Sequence, residues 1–289
     1  MFSFTPLASN TSRTTIPCAA LLFLAGLLLT TVPLQAHSQT ASEAVAPAPS
    51  QASTPTHLAP PANPVSWGTG FVVSEGHLLT SLHLVRDKTT IFVGPVGTLA
   101  SGQPRWVVAE LVRTDPALDL ALIKARIDLP ALALHPTPTV PLGLEVSVIG
   151  FPQPRIQGMS KKITQGIVNG YRSPNMQAAT DGLMQISAEV SQGNSGGPVL
   201  APDGTVVGMV QSKLNATQVA ERTKDLMFNV SFALRSSELI RFLQGTAVQP
   251  LQRSVSLQTH LRPYQIFEQS QASVLVVMSR GTAPQLAPR

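Results

Sequence analysis

The sequence predicts an all-β fold, two β-barrels or sandwiches with one short helix. Three observations predict it. From Trp67 onward, short runs of β-branched and apolar residues alternate with Gly, Pro and Asp turns. Pro136, Pro138 and Pro141 interrupt these runs and divide the strands into two series. No segment repeats at a fixed period, which argues against a solenoid or propeller.

The elements follow in order. Residues 19–34, AALLFLAGLLLTTVPL, form an apolar run of sixteen preceded by one basic residue, Arg13. With Gln35–Ala36 as the cut, residues 1–36 read as a secretory signal peptide. An uncleaved membrane anchor is the alternative, although the run is short for a full span. Residues 37–66 place six prolines between Pro47 and Pro64 among Ala, Ser and Thr, the composition of a disordered linker. The first β series is expected over 67–138: GFVV (70–73) turning through Ser74–Glu75–Gly76 into HLLTS (77–81), then TTIFV (89–93), WVVAEL (106–111) and LALI (120–123). The second is expected over 139–244: VSVIG (146–150), ITQGIV (163–168), LMQISAEV (183–190), TVVGMVQS (205–212) and MFNVSFAL (227–234). It closes on the one convincing helix, with Ser236 or Ser237 as N-cap and Leu239, Ile240 and Leu243 on one face. A tail, 245–289, follows.

Composition narrows the function. Hydrophobic residues make up 43% and charged residues 12%, ample for a core. Net charge is +5; without Arg13, 19 basic residues face 15 acidic ones, or +4. The basic residues are scattered, with Lys161–Lys162 the only adjacent pair, and no aromatics interleave with arginine, so nucleic acid is not an expected partner. Cys18, the single cysteine, precedes the apolar core of the signal. A chain cut near Ala36 then has no disulfide, thiolate metal site or cysteine nucleophile. Export without disulfides points to a bacterial cell envelope.

SQGNSGGPV (191–199) sets Ser195 between Gly193–Asn194 and Gly196–Gly197–Pro198. A plain turn would use the same residues. The alternative is a backbone bent to expose one hydroxyl, which needs a neighbouring base to become a nucleophile. Of the six histidines, His37 and His57 fall in the disordered stretch, His77 follows a turn, His135 precedes a proline and His260 lies in the tail. His83, in LLTSLHLV, is expected at the end of a buried strand. Asp119 heads the LALI strand, where burial demands a hydrogen-bonding partner. Asp115, beside Pro116, reads as a turn residue.

GTGFVVSEGHLLTSLHLV, DPALDLALIKA and QISAEVSQGNSGGPVL, in that order, resemble the trypsin-like serine peptidases and most of all their bacterial HtrA/Deg-like branch. The resemblance covers roughly residues 67–244, with GFP at 150–152 and the ITQGIV and NVSFAL strands. His83 and Asp119 are 36 positions apart, and Asp119 and Ser195 are 76 apart. It implies two perpendicular β-barrels, with His83 and Asp119 from the first and Ser195 from the second meeting at their seam. Ser195 would be the nucleophile, His83 its base, Asp119 the partner of His83, and the N–H groups of Gly193 and Ser195 the oxyanion hole. Asn194 stands where digestive relatives carry an aspartate that pairs with a new N-terminal ammonium. A neutral amide cannot make that pair, so zymogen cutting is not expected. The primary pocket would be lined by residues 189–191, Met209, Val210, Gln211 and the Val230–Ser231 stretch. Valine and methionine would favour small or medium apolar side chains. Glu189 would favour basic ones if it faced the pocket and would matter little if it faced solvent.

Relatives of this branch commonly carry PDZ domains, for which the 45 residues after Gln244 are too few. QASVLVVMSRG (271–281) has a strand pattern and PYQIFEQS (263–270) that of a short amphipathic helix. In relatives an opening strand precedes the GTGFVV hairpin; here the proline-rich stretch occupies that place. Ser273–Ser279 is therefore expected to return and complete the first barrel. The expected function is that of an exported, periplasmic or secreted serine endopeptidase, free of metal and cofactor, acting on a protein or peptide substrate, without stable membrane insertion after signal cleavage. A non-catalytic binding module with a collapsed oxyanion loop is the alternative, as is an esterase using the same residues, although the G-x-S-x-G elbow of the usual esterase fold is missing.

Overall fold

The computed structural model describes residues 66–97, 101–136, 138–171, 182–213 and 230–281, all within one compact unit spanning Ala52–Arg289. The expected signal peptide, the linker up to residue 65, Cys18, His37, His57 and residues 227–229 of the last expected strand lie outside the described residues.

Twelve strands among the described residues close into two six-stranded barrels. The first opens with the expected hairpin of β1 (Ser66–Ser74) and β2 (His77–Ser81), followed by β3 (Thr90–Gly94), β4 (Val107–Asp115) and β5 (Leu120–Ala125). Gly76 makes the hairpin turn at φ +65°, where a Cβ would lie 2.8 Å from the Ala125 carbonyl. The second barrel comprises β6 (Glu145–Gly150), β7 (Lys162–Tyr171), β8 (Leu183–Ile186), β9 (Pro198–Leu200), β10 (Val206–Lys213) and β11 (Ser231–Arg235). The strand expected over 183–190 stops at Ile186. Beyond it Ser187 stays tied to β7 through two hydrogen bonds with Ile167, and the chain turns out of the sheet toward the 191–197 loop. Gly166 makes that exit possible, since a Cβ there would sit 2.2 Å from the Ala188 nitrogen. Gly166→Ala is expected to destabilise the fold by about 1–3 kcal/mol, read as a lower urea midpoint at unchanged slope.

The sixth strand of the first barrel is β12 (Val274–Arg280), inserted antiparallel between β1 and β3, with Thr69 opposite Val276 and Phe92 opposite Met278. Its run of apolar residues has a direct cause. Leu275 and Val277 pack with Val72, Leu78 and Ile123, while Val274, Val276 and Met278 join Phe71, Phe92 and Ile266 in a separate cluster. A strand buried on both faces needs no polar alternation.

Among the described residues there are three α-helices, where the sequence offered one convincing helix and a short amphipathic pattern over 263–270: α1 (Pro154–Gln157), α2 (Ser236–Leu243) and α3 (Pro263–Ser270). Arg235, not a serine, occupies the N-cap of α2; the buried Ser236 hydroxyl donates instead to the His135 carbonyl at 2.6 Å. In α3, Pro263 takes N1 and Gln265 Oε1 accepts the Arg262 N–H at 2.9 Å. Between α2 and α3 the chain straps the second barrel. Arg253 donates to Thr205 Oγ1 at 2.9 Å and to the Asp203 carbonyl at 3.0 Å, and the buried Asp203 carboxylate accepts the Ser256 N–H at 2.8 Å. Lys161 Nζ donates to the Gln271 carbonyl just before β12, and burial pushes its ammonium pKa down. The unfolded chain therefore holds this proton to higher pH than the folded one, and this group adds stability as pH rises toward its free value. Lys161→Met should flatten that rise in a series of thermal melts.

Candidate active site

His83 sits not at the end of a strand but in a single 3₁₀ turn, Leu82–Leu84, that follows β2. The turn directs Leu82 and Leu84 inward and leaves the side chain of His83 49% exposed. Asp119 closes the β4–β5 turn at φ +48°, in the left-handed region that aspartate tolerates better than most residues. All three of its oxygens serve one segment. Oδ2 lies 2.6 Å from His83 Nδ1, Oδ1 accepts the His83 N–H at 2.8 Å, and its carbonyl accepts the Leu82 N–H at 3.0 Å. Asp115 is the turn residue expected, its Oδ1 accepting the N–H groups of Ala117 and Leu118 at 2.9 and 3.1 Å. The carboxylate contact assigns the ring proton to Nδ1 and leaves the Nε2 lone pair free. Among the described residues neither Nε2 nor Ser195 Oγ has a hydrogen-bond partner.

Ser195 reaches this neighbourhood through its own loop. Its carbonyl accepts the Thr69 N–H of β1 at 2.9 Å, and a Cβ on Gly196 would fall 2.9 Å from Ser81 N, two residues before His83. Every carbonyl from Gln192 to Ser195 is engaged. Gln192 O accepts from Gln153 N at 2.7 Å, Gly193 O from Thr69 Oγ1 at 2.7 Å, Asn194 O from Gly197 N at 2.9 Å, and Ser195 O from Thr69 N. A trans peptide points its N–H away from its carbonyl. The N–H groups of Gly193 and Ser195 donate to no acceptor among the described residues. Gly193, at φ +104°, is the third residue of a turn closed by Asn194 N on Ser191 O at 3.0 Å. A Cβ on it would be 2.2 Å from the Phe151 carbonyl.

The residues expected to line a pocket are distributed differently. Glu189 is exposed and Val230 half-buried, whereas the side chains of Met209 and Val210 are enclosed in the cores and offer no surface. Gln211 reaches across to the Leu118 carbonyl, next to Asp119. Sequence reasoning missed Thr69, Gln153 and this role of Gln211. Thr69 lay in plain view in GTGFVV, but only long-range pairing reveals its contacts. Among the described residues no group of three or more His, Cys, Asp or Glu side chains could hold a metal ion.

A family model, described as trypsin-like peptidase domain, matches residues 68–209. An uncharacterized protein, y4bJ of Sinorhizobium fredii, is 36% identical over 187 residues, 64% of this chain and 28% of that one. The magnetosome formation protease MamE of Paramagnetospirillum magneticum is 35% identical over 49% of this chain and 19% of its own. A probable periplasmic serine endoprotease, DegP-like, of Pseudomonas fulva is 33% identical over 60% of this chain and 33% of its own. The chain thus spans between about a fifth and a third of the length of these relatives. The solved structure of the HtrA-type protease AlgW with decapeptide matches at a TM-score of 0.49 and 26% identity, over 61% of this chain and 50% of that one.

Proposed function

This chain carries a trypsin-like peptidase domain with HtrA/DegP-like relatives, and on that premise we propose that it is an exported serine endopeptidase that cuts exposed segments of unfolded or flexible proteins. Ser195 Oγ attacks the scissile carbonyl. His83 Nε2 takes the hydroxyl proton and returns it to the leaving amine, while Asp119 holds Nδ1–H in place and supports the imidazolium. The developing oxyanion is received by Gly193 N–H and Ser195 N–H. Such donors are worth about 100- to 1,000-fold each in rate.

One observation carries the reading over that of a binding module. A collapsed loop would aim a carbonyl at the place the oxyanion must occupy, whereas here all four carbonyls from Gln192 to Ser195 are bonded elsewhere. Substrate backbone would lie along β10 beyond Val210, whose N–H and carbonyl are the last to be bonded, to Gly197 and Gly196, on the side away from β11. Recognition there is by main chain. Enclosure of Met209 and Val210 leaves backbone, with Glu189, Gln211 and Val230, to shape the primary pocket. Export, to the periplasm or beyond, accords with relatives named as periplasmic endoproteases; a retained N-terminal anchor is the other form it would take.

A fluorophosphonate probe tests the proposal. The native chain should be labelled, and Ser195→Ala and His83→Ala variants should not. A correctly folded native chain that stays unlabelled would sink catalysis and favour the binding module. Hydrolysis of casein, set beside a small ester, separates peptidase from esterase.

A further inference from the structure

We infer that Thr69, on the first barrel, is a positioning residue whose hydroxyl helps hold the oxyanion loop of the second barrel in its working orientation. The inference rests on the catalytic reading of Ser195.

Gly193 has no Cβ to bias its torsions, so nothing in its own chemistry decides which way its flanking peptides face. Neighbours must decide it. Thr69 engages two of the four carbonyls around Asn194: its Oγ1–H donates to Gly193 O at 2.7 Å and its N–H to Ser195 O at 2.9 Å. These peptides lie on either side of the one that supplies the Ser195 N–H. The Gly193 carbonyl and the Gly193 N–H share one Cα, so a hydroxyl fixing the first restrains the second. Thr69 is itself held hard. It is fully buried, its carbonyl accepts Thr80 Oγ1–H at 2.8 Å, and its Oγ1 accepts the Phe151 N–H at 3.2 Å. That last bond spends the hydroxyl's acceptor side on the second barrel as well, so its single proton is left for Gly193. Two main-chain bonds act on the donor-bearing peptides themselves: Gln153 N–H on Gln192 O holds the peptide of the Gly193 N–H, and Gly197 N–H on Asn194 O holds that of the Ser195 N–H. Thr69 restrains the next peptide along from each, the first of them through its side chain.

The position thus asks for a hydroxyl, with the methyl a lesser matter. Valine has the shape of threonine without the donor; serine keeps the donor without the methyl; cysteine keeps a weak one.

Full-length Thr69→Val, Thr69→Ser and Thr69→Cys variants would be compared with the native chain for the rate of fluorophosphonate labelling, casein hydrolysis and melting temperature. Thr205→Val is the structural control, a buried threonine of the second barrel whose hydroxyl binds Asp203 away from the site. Labelling of Thr69→Val should slow by about 100-fold or more, the scale of a lost oxyanion donor. Thr69→Ser should stay within about threefold of native, and Thr69→Cys should fall between the two. The control should lose melting temperature but label normally. The inference fails if Thr69→Val labels at the native rate, or if labelling tracks melting temperature across all variants including the control. Should Thr69→Val not fold, Thr69→Ser against Thr69→Cys decides by the same measure: equal rates overturn the inference. An unlabelled native chain would overturn the catalytic reading itself, a different result from a labelled native chain with an equally labelled Thr69→Val.

Discussion

Asp119→Asn is expected to lower kcat by about 10,000-fold while the melting temperature moves by no more than about 2 °C. The backbone allows the change, because Asp119 lies at φ +48° and asparagine adopts this region at least as readily. The chemistry does not. Oδ1 accepts a main-chain N–H, that of His83, which can only donate, so the amide must keep its oxygen there. Its NH₂ is then forced against His83 Nδ1. Two donors cannot face each other, so the ring proton moves to Nε2, the nitrogen that must accept from Ser195. A hydroxyl facing an N–H is not activated. Nitrogen NMR of the His83 ring reports the tautomer, and single-turnover kinetics reports the rate. Near-native turnover with the proton still on Nδ1 would refute the assignment of Asp119.

Removal of the chain from Thr246 onward should leave the protein unable to fold. The five apolar side chains from Val274 to Met278 are each between 0 and 5% exposed and fill both the first barrel and the cluster outside it. Truncating a single buried Leu or Met to alanine costs about 2–5 kcal/mol. Deletion of all five residues, with β1 and β3 left as bare edges, exceeds the roughly 5–15 kcal/mol by which a domain is stable. The expected outcome is aggregation, no cooperative melt and no probe labelling. Leu275→Ala is the milder test, with a loss of about 2–5 kcal/mol by urea titration. A soluble truncation that melts and labels like the full chain would contradict the barrel closure.

Much of this was legible before any coordinates. Alternation and turn residues located eleven of the twelve strands to within a few positions; β9, three residues long, is too short to carry a pattern. The return of the tail strand was legible because the resemblance calls for an opening strand before GTGFVV, where this chain has a proline-rich stretch, and the tail carries a strand pattern. What could not be read depends on long-range geometry. A histidine between two leucines looks like a strand residue until the 3₁₀ turn is seen to put the leucines in and the ring out. Serines beside a helix look like caps until one is found bonded to His135, a hundred residues away. Met209 and Val210 stand side by side on one strand, yet both are buried, because each face of that strand packs into a core. Thr69 differs again: its signal is a hydroxyl beside apolar and glycine neighbours, and its partners, the Gly193 carbonyl and the Phe151 N–H, lie far off in sequence.

The position of β12 also sets a clock. A ribosome delivers both barrels' other strands, with His83, Asp119 and Ser195, before it delivers residues 274–280, so the newborn polypeptide holds every other strand while its first barrel still gapes. Until those last residues emerge and slot in beside Thr69, the strand bearing that residue lacks one neighbour. Closure of the first barrel is thus timed by chain order, coming after every other strand of both barrels has been made.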